Sequence, residues 1–370
     1  MAASPTATLL IQTAFIGDVI LATALVEYLA EHEPGAPLDV LVRRGNEGLL
    51  AANPHIRRIL IWDKKSQKYP NLLRLLKQIR QEEYAQVVTL QRFASTGFLT
   101  AFSGAPVRAG FAENPFSRFF TRRVPHVIGD GTHEVARNLA LIKDDKSKTK
   151  NELADNYRVK NADGPKIFNS PFSIFNSLRP RLYPTPTDEG IAAPYAAVGE
   201  YVCLAPTSVW FTKQYPEEKW LELLAALPAS LPVYLLGGPP DTAACERLAQ
   251  AAARPGLVTL SGKLSLLASA ALMRGAVLNY VNDSAPLHLC SAVDAPVCAI
   301  FCSTVPAFGF GPLSTFSRII EHPGPLACRP CGLHGHAKCP LGHFRCAREI
   351  ETTQLLAALT EARAWRATKA

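Results

Sequence analysis

Short apolar strands alternate with helical patterns along two stretches of this 370-residue chain, and this alternation constrains the fold more than any other feature. Residues 8–12 form an apolar strand, a polar turn follows at 13–18, and a helical pattern runs over 19–32. The same succession returns after residue 200. Because a helix between two strands lets them pair in parallel, the sequence predicts mostly parallel sheets covered by helices on both faces.

The period of the apolar residues predicts the individual elements. Strands are expected at 8–12, 38–42, 59–61, 86–90, 201–205, 233–236, 258–260, 276–281 and 297–301. Helices are expected at 19–32, 71–83, 216–227, 242–253, 264–274 and 350–365, and the alternation continues at 98–102, 108–111 and 133–142. The fold class is therefore α/β, with two doubly wound Rossmann-like domains that would bind ligands in a cleft at the carboxyl ends of their strands.

Between Lys143 and Pro194 the alternation gives way to a lysine-rich run and to clusters of Asn, Ser and Pro, a composition typical of an irregular interdomain segment. We expect residues 1–180 to form the first domain, with an irregular linker at 143–180. Residues 181–370 then form the second domain, which ends in a helix at 350–365.

Composition narrows the functional class. Hydrophobic residues make up 48% of the chain, which excludes general disorder, and the net charge of +8 favours an anionic partner. The basic residues are scattered and no nucleic-acid-binding module is recognisable, so no nucleic acid is expected. The apolar runs fall short of the roughly 18–20 residues of a membrane span, and the N-terminus lacks a signal-peptide pattern. A cytoplasmic protein is expected.

The segment 281–289 predicts an anion site, because a buried strand ends there in a polar turn that opens a helix. Asp283 and Ser284 are capping residues, and Pro286 falls in the first helical turn, where a missing N–H costs nothing. The helix dipole and free amides would favour a phosphate, with His288 one turn further on. The alternative is an ordinary capped helix with a core histidine.

Four separated segments together resemble glycosyltransferase family 9, the ADP-heptose:lipopolysaccharide heptosyltransferases. The segments are residues 12–21 with the pair Gly17-Asp18, residues 205–220 from Ala205-Pro206-Thr207-Ser208 to Trp220, residues 235–241 with Gly237-Gly238 and Asp241, and residues 282–312. The resemblance implies a GT-B fold, with the acceptor bound mainly by the N-terminal domain and the nucleotide-sugar by the C-terminal domain. It also implies inverting transfer without a metal.

Carried over to this chain, the resemblance assigns catalysis to Asp18 as the base and to Lys213 as the cation for the departing diphosphate. Donor binding falls to Thr207, Ser208, Lys213, Asp241, Asp283, Ser284, Ala285 and His288, and acceptor binding to Thr13, Gly17 and Arg43. Structural alternatives exist for several of these. Asp18 and Asp241 are suitable N-caps for the helices that follow them, and Lys213 is suited to a solvated loop.

The chain departs from the family pattern at two places. Ala285 stands where glycine is usual, which is compatible with the site only if its φ is negative. Cys302 and Ser303 replace a frequent glycine-proline pair, so the loop there is expected to differ in shape.

Four cysteines, Cys328, Cys331, Cys339 and Cys346, are interleaved with histidines near the C-terminus. A zinc site is one hypothesis, because thiolates and imidazoles in one short loop can complete a tetrahedral shell. The wide spacing of the last two cysteines and a reducing cytoplasm favour free structural thiols instead, and no metal is the expectation.

The resemblance implies a transferase that moves heptose from ADP-heptose to the lipopolysaccharide core and needs no further cofactor. Basic residues at Arg43, Arg44, Lys64 and Lys65 suit a phosphorylated, lipid-linked acceptor and peripheral contact with the anionic cytoplasmic face of the inner membrane. Three alternatives remain open: another nucleotide-sugar or acceptor, a sugar-nucleotide epimerase-like reaction, and a nucleotide-sugar-binding protein without turnover.

Overall fold

The computed structural model of the protein describes residues 7–143 and 179–369. They divide into two compact units, one holding 7–143 and 179–183 and the other holding 184–369. Most of the expected linker, residues 144–178, lies outside the described residues. Within the described ranges, no helix combines the length and apolar character needed to cross a membrane.

The first unit is built on a parallel sheet. Its strands are β1 (Thr8–Ile11), β2 (Leu38–Arg43), β3 (Arg58–Trp62), β4 (Gln86–Thr89), β5 (Val107–Phe111) and β6 (Arg122–Val124), in the order β3-β2-β1-β4-β5-β6. Its helices are α1 (Ile16–His32), α2 (Lys68–Gln81), α3 (Ala94–Ala101) and α4 (Glu134–Leu139).

The second unit repeats the plan. Its strands are β7 (Val202–Ala205), β8 (Val233–Leu235), β9 (Leu257–Thr259), β10 (Leu278–Asn282), β11 (Val297–Phe301) and β12 (Ser317–Glu321), in the order β12-β11-β10-β7-β8-β9. Its helices are α5 (Pro186–Ala196), α6 (Glu217–Ala226), α7 (Thr242–Ala252), α8 (Leu266–Gly275), α9 (Ala285–Ala292), α10 (Arg345–Arg348) and α11 (Thr352–Ala367).

The two sheets share one topology, because each has its first and fourth strands side by side at the centre. These neighbours are β1 and β4 in the first unit and β7 and β10 in the second, and both pairs are parallel. The chain reverses its direction of winding there, so the loops at the carboxyl ends of the two strands diverge and leave a crevice. A ligand site is expected at that position in each unit.

The central strands are apolar because helices cover both faces of each sheet. Leu9, Leu10 and Ile11 of β1 are fully buried, as are Tyr280 of β10 and Trp220 of α6. The terminal helix α11 packs against α6 and β12 and buries an apolar stripe in the core of the second unit. These cores hold the strand ends, and with them the loops of the site, in place.

The segment 181–183 packs on α1 of the first unit. The Arg181 N–H donates to Thr23 Oγ1 at 2.9 Å, and the Tyr183 hydroxyl donates to the buried carboxylate of Glu27 at 2.8 Å.

The sequence prediction was wrong in one region and incomplete in two. Helix α5 lies in the stretch expected to be irregular, because Thr185 caps it: Thr185 Oγ1 accepts the Asp188 N–H at 3.2 Å, and the Asp188 carboxylate accepts the Thr185 N–H at 3.0 Å. Gly190 and Pro194 lie inside this helix, and because both residue types disfavour helices, composition predicted an irregular segment. The edge strands β6 and β12 were not predicted, since both carry charged residues and β6 has only three residues.

Candidate active site

Asp18 lies in the first turn of α1, immediately after the carboxyl end of β1. The N-cap of α1 is Phe15, and its N–H donates to Asp18 Oδ2 at 3.2 Å. Asp18 therefore caps the helix from within the first turn rather than as the N-cap residue itself. The side chain is half-buried beside the β1/β4 switch point. It can therefore contact a substrate at a position from which water is largely excluded.

The electrostatic surroundings of Asp18 adjust its proton affinity. Burial raises the pKa of its carboxyl to about 6, and the negative charge of Glu134 adds to the rise. The Phe15 N–H and the Arg43 guanidinium act in the opposite direction. A carboxyl with a pKa near 6 is ionised at neutral pH and is a far stronger base than an ordinary aspartate.

Glu134, which the sequence analysis did not single out, belongs to a buried charged cluster at the start of α4. Arg137 Nε donates to Glu134 Oε2 at 2.8 Å, and His126 Nε2 lies 3.2 Å from the same oxygen. Burial raises the pKa of Glu134, but His126 and Arg137 outweigh burial and bring that pKa below its ordinary value. Glu134 is thus a fixed anion that disfavours ionisation of Asp18.

The other predicted residues of the first unit differ in how far their polar groups are already engaged within the protein. The Thr13 hydroxyl donates to Gln91 Oε1 at 2.7 Å and its N–H donates to the same oxygen at 3.1 Å, so both groups are used to join the ends of β1 and β4. Gly17 lies in the first turn of α1 next to Asp18. Arg43 ends β2 with its guanidinium 5.1 Å from the centre of the exposed Phe15 ring.

Lys64 is the second cation of this crevice. Its Nζ donates to Thr13 O at 2.8 Å and lies 4.8 Å from the centre of the Trp62 ring. Burial lowers the pKa of the Lys64 ammonium to about 8, and the positive charges of Arg43 and Lys68 add to that effect. The first unit therefore places a carboxylate and two cations around the turn after β1.

In the second unit, Lys213 Nζ lies 2.7 Å from Asp283 Oδ2. Thr304 Oγ1 donates to that same oxygen at 2.6 Å, and the side chains of Lys213 and Asp283 are 16% and 8% exposed. Lys213 is therefore not a solvated loop lysine. An ammonium has three N–H donors, so the ion pair fixes its position and leaves donors for an anion.

Asn282 connects the two strand ends that carry this pair, a role that the sequence analysis did not assign to it. The Tyr215 N–H donates to Asn282 Oδ1 at 2.9 Å, and Asn282 Nδ2 donates to Pro206 O at 2.9 Å. Asn282 is fully buried, and these contacts join the end of β10 to the loop after β7. Asn282 therefore holds the polar turn that follows β10 against the loop after β7.

Thr207 and Ser208 lie in the loop after β7 with half-buried side chains. Gln214 Nε2 donates to Ser208 O at 2.7 Å, which closes this loop onto the turn that carries Lys213. This hydrogen bond ties Ser208 to the residue that follows Lys213 in the chain.

Helix α9 begins at Ala285, with Ser284 as its N-cap. Ala285 has helical backbone angles and is absent from the left-handed region, so the position does not require glycine. His288 is buried, as the core-histidine alternative predicts. Anion binding by the main chain of the turn and by His288 stays a prediction.

Asp241 has a structural role in the turn that precedes α7. The Gly238 N–H donates to Asp241 Oδ2 at 2.8 Å and closes the turn Pro239–Asp241. Asp241 is also the N-cap residue of α7, the position named by the structural alternative. Contact of Asp241 with the nucleotide-sugar donor stays a prediction.

The cysteine-rich loop 328–346 packs against the Lys213 turn. The His336 N–H donates to Thr212 Oγ1 at 2.8 Å, the Thr212 N–H donates to His336 O at 3.1 Å, and the Cys331 N–H donates to Ser303 O at 2.7 Å. Gly335 has φ +79° at this contact. All nine cysteines are free thiols.

The loop does not gather a metal-binding set. Cys328 Sγ lies 3.9 Å from His343 Nε2, but no group of three or more His, Cys, Asp or Glu side chains within residues 7–143 and 179–369 is arranged to hold a metal ion. The zinc hypothesis for Cys328, Cys331, Cys339 and Cys346 therefore gains no support from the geometry.

Residues 72–332 match the model of glycosyltransferase family 9 (heptosyltransferase), a match that covers most of the chain and the β7/β10 switch point. The chain belongs to glycosyltransferase family 9. The family predicted from the four segments is thus confirmed, and this family 9 protein is a glycosyltransferase.

Individual relatives agree with this assignment. The chain is 27% identical over 300 residues to lipopolysaccharide heptosyltransferase 3 of Escherichia coli, which covers 78% of this chain and 82% of the relative. It is 26% identical over 338 residues to lipopolysaccharide heptosyltransferase 1 of Pseudomonas aeruginosa, with 87% and 85% covered.

Among solved structures, this family 9 glycosyltransferase is similar to the ADP-heptose lps heptosyltransferase II of E. coli. The TM-score is 0.76 at 17% identity, and the likeness covers 97% of this chain and 99% of the other. At that identity the likeness shows the fold, and it confirms the predicted GT-B class.

Proposed function

We propose that this protein transfers heptose from ADP-heptose to the inner core of lipopolysaccharide, with inversion at the anomeric carbon. The observation that carries the proposal is the largely buried Lys213–Asp283 pair at the β7/β10 switch point, because it fixes a cation where a nucleotide diphosphate binds in this type of fold. The names of the three relatives above support the choice of donor and acceptor.

The reaction is written as a single displacement. The acceptor hydroxyl oxygen attacks the anomeric carbon, the bond from that carbon to the diphosphate oxygen breaks, and its electron pair leaves with ADP. Asp18 takes the hydroxyl proton. Attack opposite the leaving group inverts the configuration, and no group changes oxidation state, so the step needs no redox cofactor.

Lys213 supplies the charge stabilisation. Negative charge grows on the diphosphate as the bond breaks, and a fixed ammonium stabilises that charge without rearranging. Since one lysine with preset geometry serves this purpose, the proposed step requires no metal. Ser284 and Ala285 add main-chain donors at the start of α9.

The first unit is suited to an anionic acceptor. Arg43 and Lys64 place two positive charges around the turn that carries Asp18. Phosphate or carboxylate groups on an oligosaccharide core would pair with them, and attachment of that core to a lipid would place the reaction at the cytoplasmic face of the inner membrane.

The test is to incubate the protein with a panel of nucleotide-sugars and a truncated lipopolysaccharide core, and to follow nucleotide release and acceptor mass. We expect acceptor-dependent release from ADP-heptose and a product whose anomeric configuration, determined by NMR, is opposite to that of the donor. Transfer should persist in excess chelator.

Asp18→Asn separates catalysis from binding in the same assay. Donor affinity should be kept and transfer abolished, since the amide cannot accept the proton. Unchanged transfer would remove Asp18 as the base. Release from another donor would redirect the proposal to that sugar, and no acceptor-dependent release from any donor would overturn it.

A further inference from the structure

Helix α2 exposes apolar side chains on its outer face. Leu72, Leu75 and Ile79 are buried against the core of the first unit, whereas Tyr69 is 69% exposed and Leu73 is 59% exposed. These two are one turn apart and therefore adjacent on the helix surface. Large exposed apolar side chains placed side by side indicate an interaction surface.

The same face of α2 is basic. Lys77 and Arg80 continue the line of Tyr69 and Leu73 along the helix, and with Leu73 they line an open depression of about 390 Å³. Lys68 and Arg74 are also exposed on this helix, and the range Lys68–Gln81 contains no acidic residue.

A cluster of phenylalanines extends this surface. The ring centres of Phe102 and Phe119 are 5.5 Å apart, and both side chains are more than a third exposed. The Arg118 guanidinium lies 4.7 Å from the centre of the Phe119 ring. Helix α3, which ends just before Phe102, packs against both α2 and the turn that carries Phe119, so it connects the phenylalanine cluster to α2.

We infer that this aromatic–basic face, made of Tyr69, Leu73, Lys77, Arg80, Phe102, Arg118 and Phe119, docks the protein on the surface of a bilayer that contains anionic phospholipid. The inference rests on the proposed function, since a lipid-linked acceptor requires the enzyme to work at a membrane.

The composition of the face favours a lipid surface over a protein partner. The cores of protein interfaces are depleted of charged residues such as lysine, whereas here apolar and basic side chains share one exposed side of a helix. At a bilayer, aromatic rings enter the interface while lysine and arginine reach the phosphates. The face meets both requirements at once.

The test is co-sedimentation of the full-length protein with vesicles of phosphatidylethanolamine and phosphatidylglycerol, compared with vesicles of phosphatidylcholine. We expect binding to the anionic vesicles that weakens with salt. Lys77→Glu/Arg80→Glu should lower the partition coefficient at least about 25-fold, because each basic residue near such a surface contributes about fivefold. Tyr69→Ser/Leu73→Ser should weaken binding without changing its salt dependence, because no charge is removed.

Matched controls lie in the second unit. Arg247→Glu/Lys263→Glu makes the same change of charge at exposed positions, and Val258→Ser removes an exposed apolar side chain; both should bind like the parent protein. Unchanged thermal unfolding and unchanged transfer to a soluble truncated core would show that the face variants fold.

Equal binding by the face variants and the parent would overturn the inference, as would equal binding to phosphatidylcholine. Binding only to vesicles that carry lipopolysaccharide would assign the affinity to the acceptor, and concentration-dependent dimerisation lost in the face variants would assign it to a second copy. Vesicle binding without sugar transfer contradicts the proposed function alone, whereas transfer to a soluble core without vesicle binding contradicts this inference alone.

Discussion

The Lys213 ammonium lies 2.7 Å from the Asp283 carboxylate, and 70 residues of chain separate the two. The pair joins the turn after β7 to the turn after β10, and Thr304 supplies a second donor to the same carboxylate oxygen. A lysine on a loop would otherwise sample many rotamers. Held in this way, it would meet the proposed donor diphosphate with its orientation already set.

Replacement of Lys213 tests whether the cation acts in catalysis or only in folding. Lys213→Met leaves the Asp283 carboxylate without its cation, at a cost of roughly 1–3 kcal/mol in the free energy of unfolding. Adding Asp283→Asn removes the stranded charge and should restore most of that stability. Transfer should stay about 10²–10³-fold below the parent enzyme in both variants.

Thermal unfolding and kcat measure the two effects separately. Lys219→Met, which breaks an ion pair with the exposed Glu222, should change neither by much. Recovery of transfer together with stability in the double variant would show that Lys213 is structural only.

Gly335→Ala tests the contact between the cysteine-rich loop and the Lys213 turn. A Cβ at Gly335 would lie 2.9 Å from Thr212 Oγ1 and 3.1 Å from Lys213 Cγ, so the turn must shift. We expect a raised donor KM and a lower unfolding temperature. Gly342→Ala is a matched control, because Gly342 has φ +73° and open space around its Cβ position.

Both variants carry the cost of a left-handed alanine, about 1–2 kcal/mol. The difference between them therefore reports the contact alone. Equal donor KM values for the two would mean that the loop does not position Lys213.

The pH dependence of transfer tests Asp18 as the base. Only the carboxylate accepts the proton, and its pKa is raised to about 6 by burial and by Glu134, so kcat/KM should fall about tenfold per unit as pH drops below 6. Glu134→Gln removes a negative neighbour, which lowers the Asp18 pKa and moves this acid limb to lower pH.

Glu31→Gln serves as the comparison, since Glu31 is exposed in the last turn of the same helix α1. It should leave the limb in place. An acid limb that does not move in Glu134→Gln, or moves to higher pH, would contradict the proposed coupling.

The lowered pKa of Lys64 predicts a second limb, on the alkaline side of the pH profile of transfer. Burial, with Arg43 and Lys68, lowers the pKa of this lysine to about 8, so it loses its charge as pH rises through 8 and the acceptor KM should increase there. Lys64→Arg keeps the charge and should abolish the increase. Lys65→Arg, at an exposed neighbouring position, should preserve it, and an alkaline limb unaffected by Lys64→Arg would place its origin elsewhere.

The sheets were predictable because local pattern decides them. Burial on both faces favours a nearly continuous apolar run, which Thr8–Ile11 shows after its first residue. In Leu278–Asn282 the buried Asn279 interrupts the run, and its amide donates to Met273 O and Pro296 O. Helix α5 was not predictable from composition, since Gly190 and Pro194 disfavour a helix there, whereas the reciprocal hydrogen bonds of Thr185 and Asp188 and packing against α8 favour it.

Several candidate residues of the site could be named from the sequence, but their contacts could not. Asp18, Lys213 and Asp283 each follow a strand end, which a single sequence shows. That Lys213 pairs with Asp283, that Asn282 holds the loop after β7, and that Glu134 acts on Asp18 all depend on side chains brought together by sheet order. No local pattern contains that information.

The hydrogen bonds of Arg181 and Tyr183 with α1 decide where this chain can be divided. Cutting at residue 180, between the two predicted domains, would remove the tyrosine hydroxyl that donates to the buried Glu27 and leave a carboxylate short of a donor inside the first half. A fragment that ends after Tyr183 keeps that partner, so any attempt to express the halves separately or to reassemble them should cut there.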